Sequence, residues 1–263
     1  MPGSTLQHED LSLCSGTTLI VIATEDGILM AADDLVYVER GGEAIPALDQ
    51  VQKVVAMGEN ILIGTCGMAW HRSIEYKFED WIVEFIETHG GSTRGNRPSD
   101  VAAALEQKMR ETLKAIESPS ESGFWKTHRP GERIVNYVVA GYAESFHRPY
   151  IFEIGAEINS DSSGLKYVSP LRHGANNIVW FGEDHFFRRA KNGLEPEFST
   201  WKSIHAVMDG GLLSQVPQSM QEHVRATVSL IKVEAQFNPK KVGSRVAVGL
   251  IDPRTRTSQM LGF

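Results

Sequence analysis

Residues 16–34, GTTLIVIATEDGILMAADD, decide how this chain is read. Two apolar runs, 17–24 and 28–33, flank Glu25-Asp26-Gly27, and this pattern predicts a pair of strands joined by a hairpin turn. The first run opens on Thr17-Thr18 directly after Gly16. If the Gly16–Thr17 bond is cut, Thr17 carries both a hydroxyl and a free α-amine. An α-amine titrates at about 7.7–8.0, close enough to working pH to take the hydroxyl proton, so one residue supplies nucleophile and base. Gly16 suits the processing site because its backbone accepts the strained turn that self-cleavage requires. Against this stands the ordinary reading of Thr17 as a β-branched residue at a strand start. Residues 1–16 are accordingly expected to be a removable segment and 17–263 a single domain.

Two charged residues complete the pattern. Asp33 ends the second apolar run, and a carboxylate at the edge of a buried strand needs a partner. Lys53 precedes VVAM at 54–57 and, on an alternating strand, shares a face with Val55 and Met57. Asp33 reads either as a turn former beside Asp34 or as the group that orients Lys53. Lys53 reads either as a charge guarding a strand edge or as a buried ammonium. An ammonium near the α-amine of Thr17 would favour the neutral amine by like-charge repulsion.

The rest of the 263 residues sets bounds. A hydrophobic fraction of 41% fits an ordinary globular core. A net charge of −7 argues against nucleic acid as a partner. No apolar run reaches the length of about 18 residues expected of a membrane span, and residues 1–16 make a poor secretory signal. Two cysteines, Cys14 and Cys66, suggest no disulfide framework, so a reducing cytoplasm is the expected location. The nine histidines form no zinc-type spacing, and no phosphate-cradling loop is present, so neither metal nor cofactor is expected.

Periodicity gives the remaining elements. QKVVAM and ILIGTC predict a second strand pair around 58–60. Ile74, Phe78, Trp81, Ile82, Phe85 and Ile86 recur at the helical period, ended by Gly90-Gly91. Pro98 opens a second helix with Val101, Leu105, Met109, Leu113 and Ile116. Residues 117–133 read as a loop. Strands are expected at 134–142, 149–158, 165–169, 177–182 and 244–252. A short helix is expected at 184–191, and a longer one begins at Pro217 with Val224, Val228, Ile231 and Ala235 on one face. Asp252-Pro253 is expected to end the late strand at 244–252. Strands, two helices, strands, helices and strands in that order fit an α+β domain of two sheets with helices outside them.

The segment GTTLIVIATEDGILMAADD, followed by QKVVAMGENILIGTCG, resembles the N-terminal half of a proteasome β-type subunit. That family includes the HslV-like bacterial peptidases and belongs to the N-terminal-nucleophile (Ntn) hydrolases. The resemblance implies a four-layer αββα sandwich. It implies a threonine-type endopeptidase in which Thr17 attacks, Asp33 orients Lys53, and the Gly67 N–H faces the oxyanion. It implies a substrate pocket of Val36, Val51, Val55, Thr65 and Ala69, suited to a modest apolar residue before the scissile bond. The stretch around GGEAIPALDQ is longer than the family's usual length and is expected to form a loop near the substrate channel. Later in the chain, Glu183 stands where the family carries a supporting hydroxyl, and FNPKKVGSRVAV offers Asn238 and Ser244 as further supporting positions. Implied partners are a protein or peptide substrate, further copies of the chain in a homo-oligomeric ring, and a separate ATPase unfoldase, with no role for nucleic acid or membrane. Two alternatives remain: a non-catalytic ring subunit, and a non-peptidase amidohydrolase on the same fold.

Overall fold

The computed structural model describes residues 13–16, 18–40, 43–48, 50–71, 74–90, 97–117, 129–143, 148–174, 177–182 and 213–263. The fold is α+β, and among the described residues every strand pairing is antiparallel. The N-terminal third supplies β1 (Leu13–Gly16), β2 (Thr18–Thr24), β3 (Gly27–Asp33), β4 (Val36–Arg40), β5 (Glu43–Leu48), β6 (Val54–Met57), β7 (Ile61–His71) and β8 (Tyr76–Lys77). Helices α1 (Phe78–His89) and α2 (Pro98–Leu113) follow, then β9 (Arg133–Tyr142), β10 (Pro149–Ile158), β11 (Leu165–His173) and β12 (Asn177–Gly182). The chain closes with α3 (Gln218–Phe237), β13 (Val246–Asp252) and β14 (Thr257–Gly262).

One sheet runs β11-β10-β9-β7-β1-β4-β5, with β6 and β8 also paired to β7; the other runs β12-β2-β3-β13-β14. The pleat of β2 and β3 explains their unbroken apolar sequence. Leu19, Val21, Ala23, Ile28, Met30 and Ala32 point toward the first sheet, where they meet Leu62, Val138 and Ala140. Ile20, Ile22, Leu29 and Ala31 point the other way, onto Val224, Val228 and Ile231 of α3. A strand covered on both faces reads as a continuous apolar run, since neither face needs polar residues. A third cluster packs Trp81, Phe85, Leu105 and Met109 of α1 and α2 on the opposite side of the first sheet, against Tyr137, Val139 and Ile154. Burying each such Leu, Ile or Val stabilises by about 1.5–3 kcal/mol.

The structure corrects two local expectations and adds strands that were not expected. Residues 13–16, within the segment expected to be removable, form a strand between β7 and β4. The stretch around GGEAIPALDQ, expected as a loop, contains β5, which pairs with β4 and forms the edge of the first sheet. The first helix begins at Phe78, not near Ile74, because Tyr76 and Lys77 pair with His71 and Trp70 of β7. The late strand ends at Asp252 as expected, and residues 257–262, for which no strand was expected, return as β14. In each case the ladder hydrogen bonds of an existing edge outweigh weak local preference. The helix expected at 184–191 lies outside the described residues.

Candidate functional site

The β2–β3 hairpin sets Thr18 across from Asp33, and the Thr18 N–H donates to Asp33 Oδ1 at 3.0 Å. The same oxygen accepts from Lys53 Nζ at 3.0 Å. Asp33 Oδ2 accepts the Leu35 N–H at 3.0 Å and the Gly243 N–H at 2.9 Å. Lys53 Nζ also donates to the Leu35 carbonyl. Asp33 and Lys53 are each 1% exposed, so this is a fully desolvated ion pair. Burying two charges is tolerated only where hydrogen bonds satisfy them, and here three backbone amides and a carbonyl do so.

Each partner arrives on a different element. Asp33 ends β3, pinned between β2 and β13 by its register with Val246. Lys53 lies just before β6, with its own carbonyl held by the Thr65 N–H of β7 at 3.0 Å. Gly243 comes from the turn after α3, where only a glycine fits. An added Cβ would lie 2.1 Å from Asp34 Oδ1 and 2.8 Å from the Leu35 nitrogen. Asp34 is half-buried, and its carboxyl is raised above the usual range, first by burial and next by the charge of Asp33.

Thr17 lies outside the described residues, but both its neighbours are placed. Gly16 ends β1 in the first sheet, and Thr18 begins β2 in the second, so the chain changes sheets at this position. Gly16 stands opposite Gly67 on β7 and opposite Val36 on β4. Gly67 has φ +93°, and a Cβ there would lie 2.6 Å from the Ile134 carbonyl oxygen, so both conformation and space demand glycine.

Of the expected pocket residues, Val36, Val51 and Ala69 share one small cluster, completed by Ala47 and Trp70. Val55 packs instead against the cluster beneath α1 and α2. Thr65 is buried, and its hydroxyl donates to the Asn136 carbonyl at 3.3 Å. Glu183 lies outside the described residues. Ser244 is exposed in the turn after α3, and Asn238 caps that helix while its side-chain amide donates to Glu234. At this turn it is the Gly243 amide that reaches Asp33. The signal was present in KKVGSRV, where a glycine precedes a strand, but an amide donor leaves no trace in side-chain chemistry. Ala47 and Trp70 were likewise missed, because neither carries reactive groups. Among the described residues no group of three or more His, Cys, Asp or Glu is arranged to hold a metal, and no helix is long and apolar enough to cross a membrane.

No protein-family model matches the sequence, and no curated protein matches it.

Proposed function

We propose that this chain is a threonine-type peptidase of the N-terminal-nucleophile kind, built as a four-layer αββα sandwich and working in the cytoplasm within a homo-oligomeric ring. The observation that carries the reading is the buried Asp33–Lys53 pair beside the first residue of β2. A buried cation beside a chain position that offers a hydroxyl and, once cut, an α-amine is what this chemistry requires. Support for the layering comes from the three apolar interfaces: helices on sheet, sheet on sheet, sheet on helix.

In this reading Thr17 Oγ first attacks the Gly16 carbonyl. The Gly16–Thr17 amide breaks, the nitrogen takes the proton as an amine, and water hydrolyses the resulting ester to release residue 16. In turnover the α-amine takes the Oγ proton while Oγ attacks the substrate carbonyl. The ammonium of Lys53 keeps the amine neutral, and Asp33 acts as a positioning residue by fixing Lys53. The Gly67 N–H stabilises the oxyanion, a contribution often among the largest in acyl transfer. The departing amine receives the proton, and water releases the acyl group. The position of β1 between β4 and β7 supports a peptide substrate, since an extended segment of the chain itself occupies that slot.

The same strand favours a second reading, a ring subunit that keeps its N-terminal segment and does not turn over. Intact mass and N-terminal sequencing of the purified protein separate the two. A chain starting at Thr17, with Thr17→Ala left uncut and inactive on fluorogenic peptides, is expected. A chain retaining residues 1–16 after assembly, with no peptide turnover, would replace the first reading by the second.

A further inference from the structure

We propose that Trp70 is a specificity-determining residue that reads the third residue before the scissile bond of a bound peptide. This role rests on the peptidase reading above and adds a substrate preference to that same site.

Two bulges shape the apolar cluster around Val36. Where β7 pairs with β1, Cys14 stands opposite Trp70 but Ser15 stands opposite Met68, so Ala69 is an extra residue. A bulge interrupts the alternation of side chains and re-aims one of them. Here the neighbours Ala69 and Trp70 both pack with Val36. Where β5 pairs with β4, Leu48 stands opposite Val36 and Pro46 opposite Tyr37, so Ala47 is the extra residue. Ala47 joins the same cluster. Val36, Ala47, Val51 and Ala69 are short, and Trp70, half-buried, adds a large flat apolar surface beside them. Trp70 also pairs with Lys77 of β8, so β7 is held at this point from the side away from β1.

A peptide that takes the place of β1 inherits its register. Its residue before the scissile bond stands where Gly16 stands, opposite Gly67 and Val36. Its third residue before the bond stands where Cys14 stands, opposite Trp70. Directly opposed residues of an antiparallel pair share a face of the sheet and lie within side-chain contact. The second residue stands where Ser15 stands, opposite Met68 and Tyr37, and alternates to the other face. An indole offers an aromatic side chain a stacking or edge contact, whereas a carboxylate there loses hydration and meets the negative face of the ring.

Fluorogenic peptides with a constant small apolar residue before the scissile bond, and phenylalanine, alanine or glutamate at the third position, test this reading. In the wild type kcat/KM should fall in that order, with about two- to tenfold between phenylalanine and alanine, the range of an aromatic pair. Trp70→Leu keeps apolar bulk but loses the ring, and should bring phenylalanine and alanine to similar rates, mainly through KM. Trp70→Phe should restore the preference. A matched series varied at the second position should give the same order in all three proteins, a selectivity that a general structural defect would not show. Equal rates with phenylalanine and alanine in the wild type, a preference that survives Trp70→Leu, or an equal change at the second position would overturn the proposal. If urea denaturation shows that Trp70→Leu does not fold, the wild-type order and Trp70→Phe decide. A wild type that cleaves none of the peptides would overturn the peptidase reading, and the role of Trp70 with it.

Discussion

At the scale of single residues, the two members of the buried pair are not equivalent. Asp33 accepts hydrogen bonds from the Lys53 ammonium and from three backbone amides, those of Thr18, Leu35 and Gly243. Asp33→Ala strands a buried ammonium and three amides together, and should cost about 3–5 kcal/mol. Lys53→Met removes the cation but leaves Asp33 with its amide donors, which stabilise a carboxylate by themselves, so the loss should be nearer 1–3 kcal/mol, roughly. Urea denaturation of both variants checks the order; an equal or inverted loss would mean that the amides contribute little.

Asp34 gives a pH prediction at the same scale. Its carboxyl is raised above the usual 3.8 by burial and by Asp33. In the window between the ordinary and the raised value the folded protein binds more protons than the unfolded chain, so stability contributed by this group falls as pH rises. Asp34→Asn cannot titrate. It should therefore be the more stable form at neutral pH, with an advantage that shrinks as pH falls toward 3.8. Thermal melts of wild type and variant in parallel across that window test the sign.

At the scale of elements, α2 and the β4–β5 hairpin stand at opposite ends of the stability range. Val101, Ala102, Leu105 and Met109 of α2 sit almost wholly buried against β9 and β10. Leu105 is 0% exposed, and Leu105→Ala should cost about 2–5 kcal/mol, measured by chemical denaturation. The hairpin has little such burial. β5 is an edge strand with exposed Leu48, and it tolerates Pro46 because an outer edge leaves backbone amides unneeded. Its ties to the turn after α3 include Lys240 to Glu43 at 3.8 Å and Lys241 over the Tyr37 ring at 5.3 Å. The ion pair is solvent-facing and weak, while the Lys241–Tyr37 contact is half-buried. Beyond β5 the chain is tied back by the backbone, the Val51 N–H donating to the Asp34 carbonyl at 3.0 Å.

At the scale of the whole molecule, the sheets meet closely where glycine replaces a side chain. A Cβ on Gly64 would lie 2.6 Å from Met30 Sδ, and one on Gly249 would lie 2.8 Å from a Leu62 methyl. This close approach holds β3, and with it Asp33, near β7 and Gly67. Outside the core, Val83 of α1, Leu171 of β11 and Ile178 of β12 are each more than half exposed. The ring proposed above would cover some of this surface, and light scattering of the purified protein should give a mass several times that of one chain. A stable monomer would count against the ring.

The sequence by itself determined those features whose cause is local. The double-faced burial of β2 and β3 is written in their apolar runs, the helices in the spacing of Trp81, Phe85, Leu105 and Val228, and the charged pair in the appearance of Asp33 and Lys53 at apolar strand ends. The tertiary structure alone decided what depends on backbone groups far apart in the chain. The Gly243 amide meets Asp33 across 210 residues. β1 becomes a strand only because β4 and β7 leave an edge on either side of it. Val55, on the strand that carries the pocket sequence, turns to the helix side, since a pleat assigns neighbours to opposite faces. Amide donors, strand edges and facing directions have no residue-type signature, so only the assembled fold reveals them.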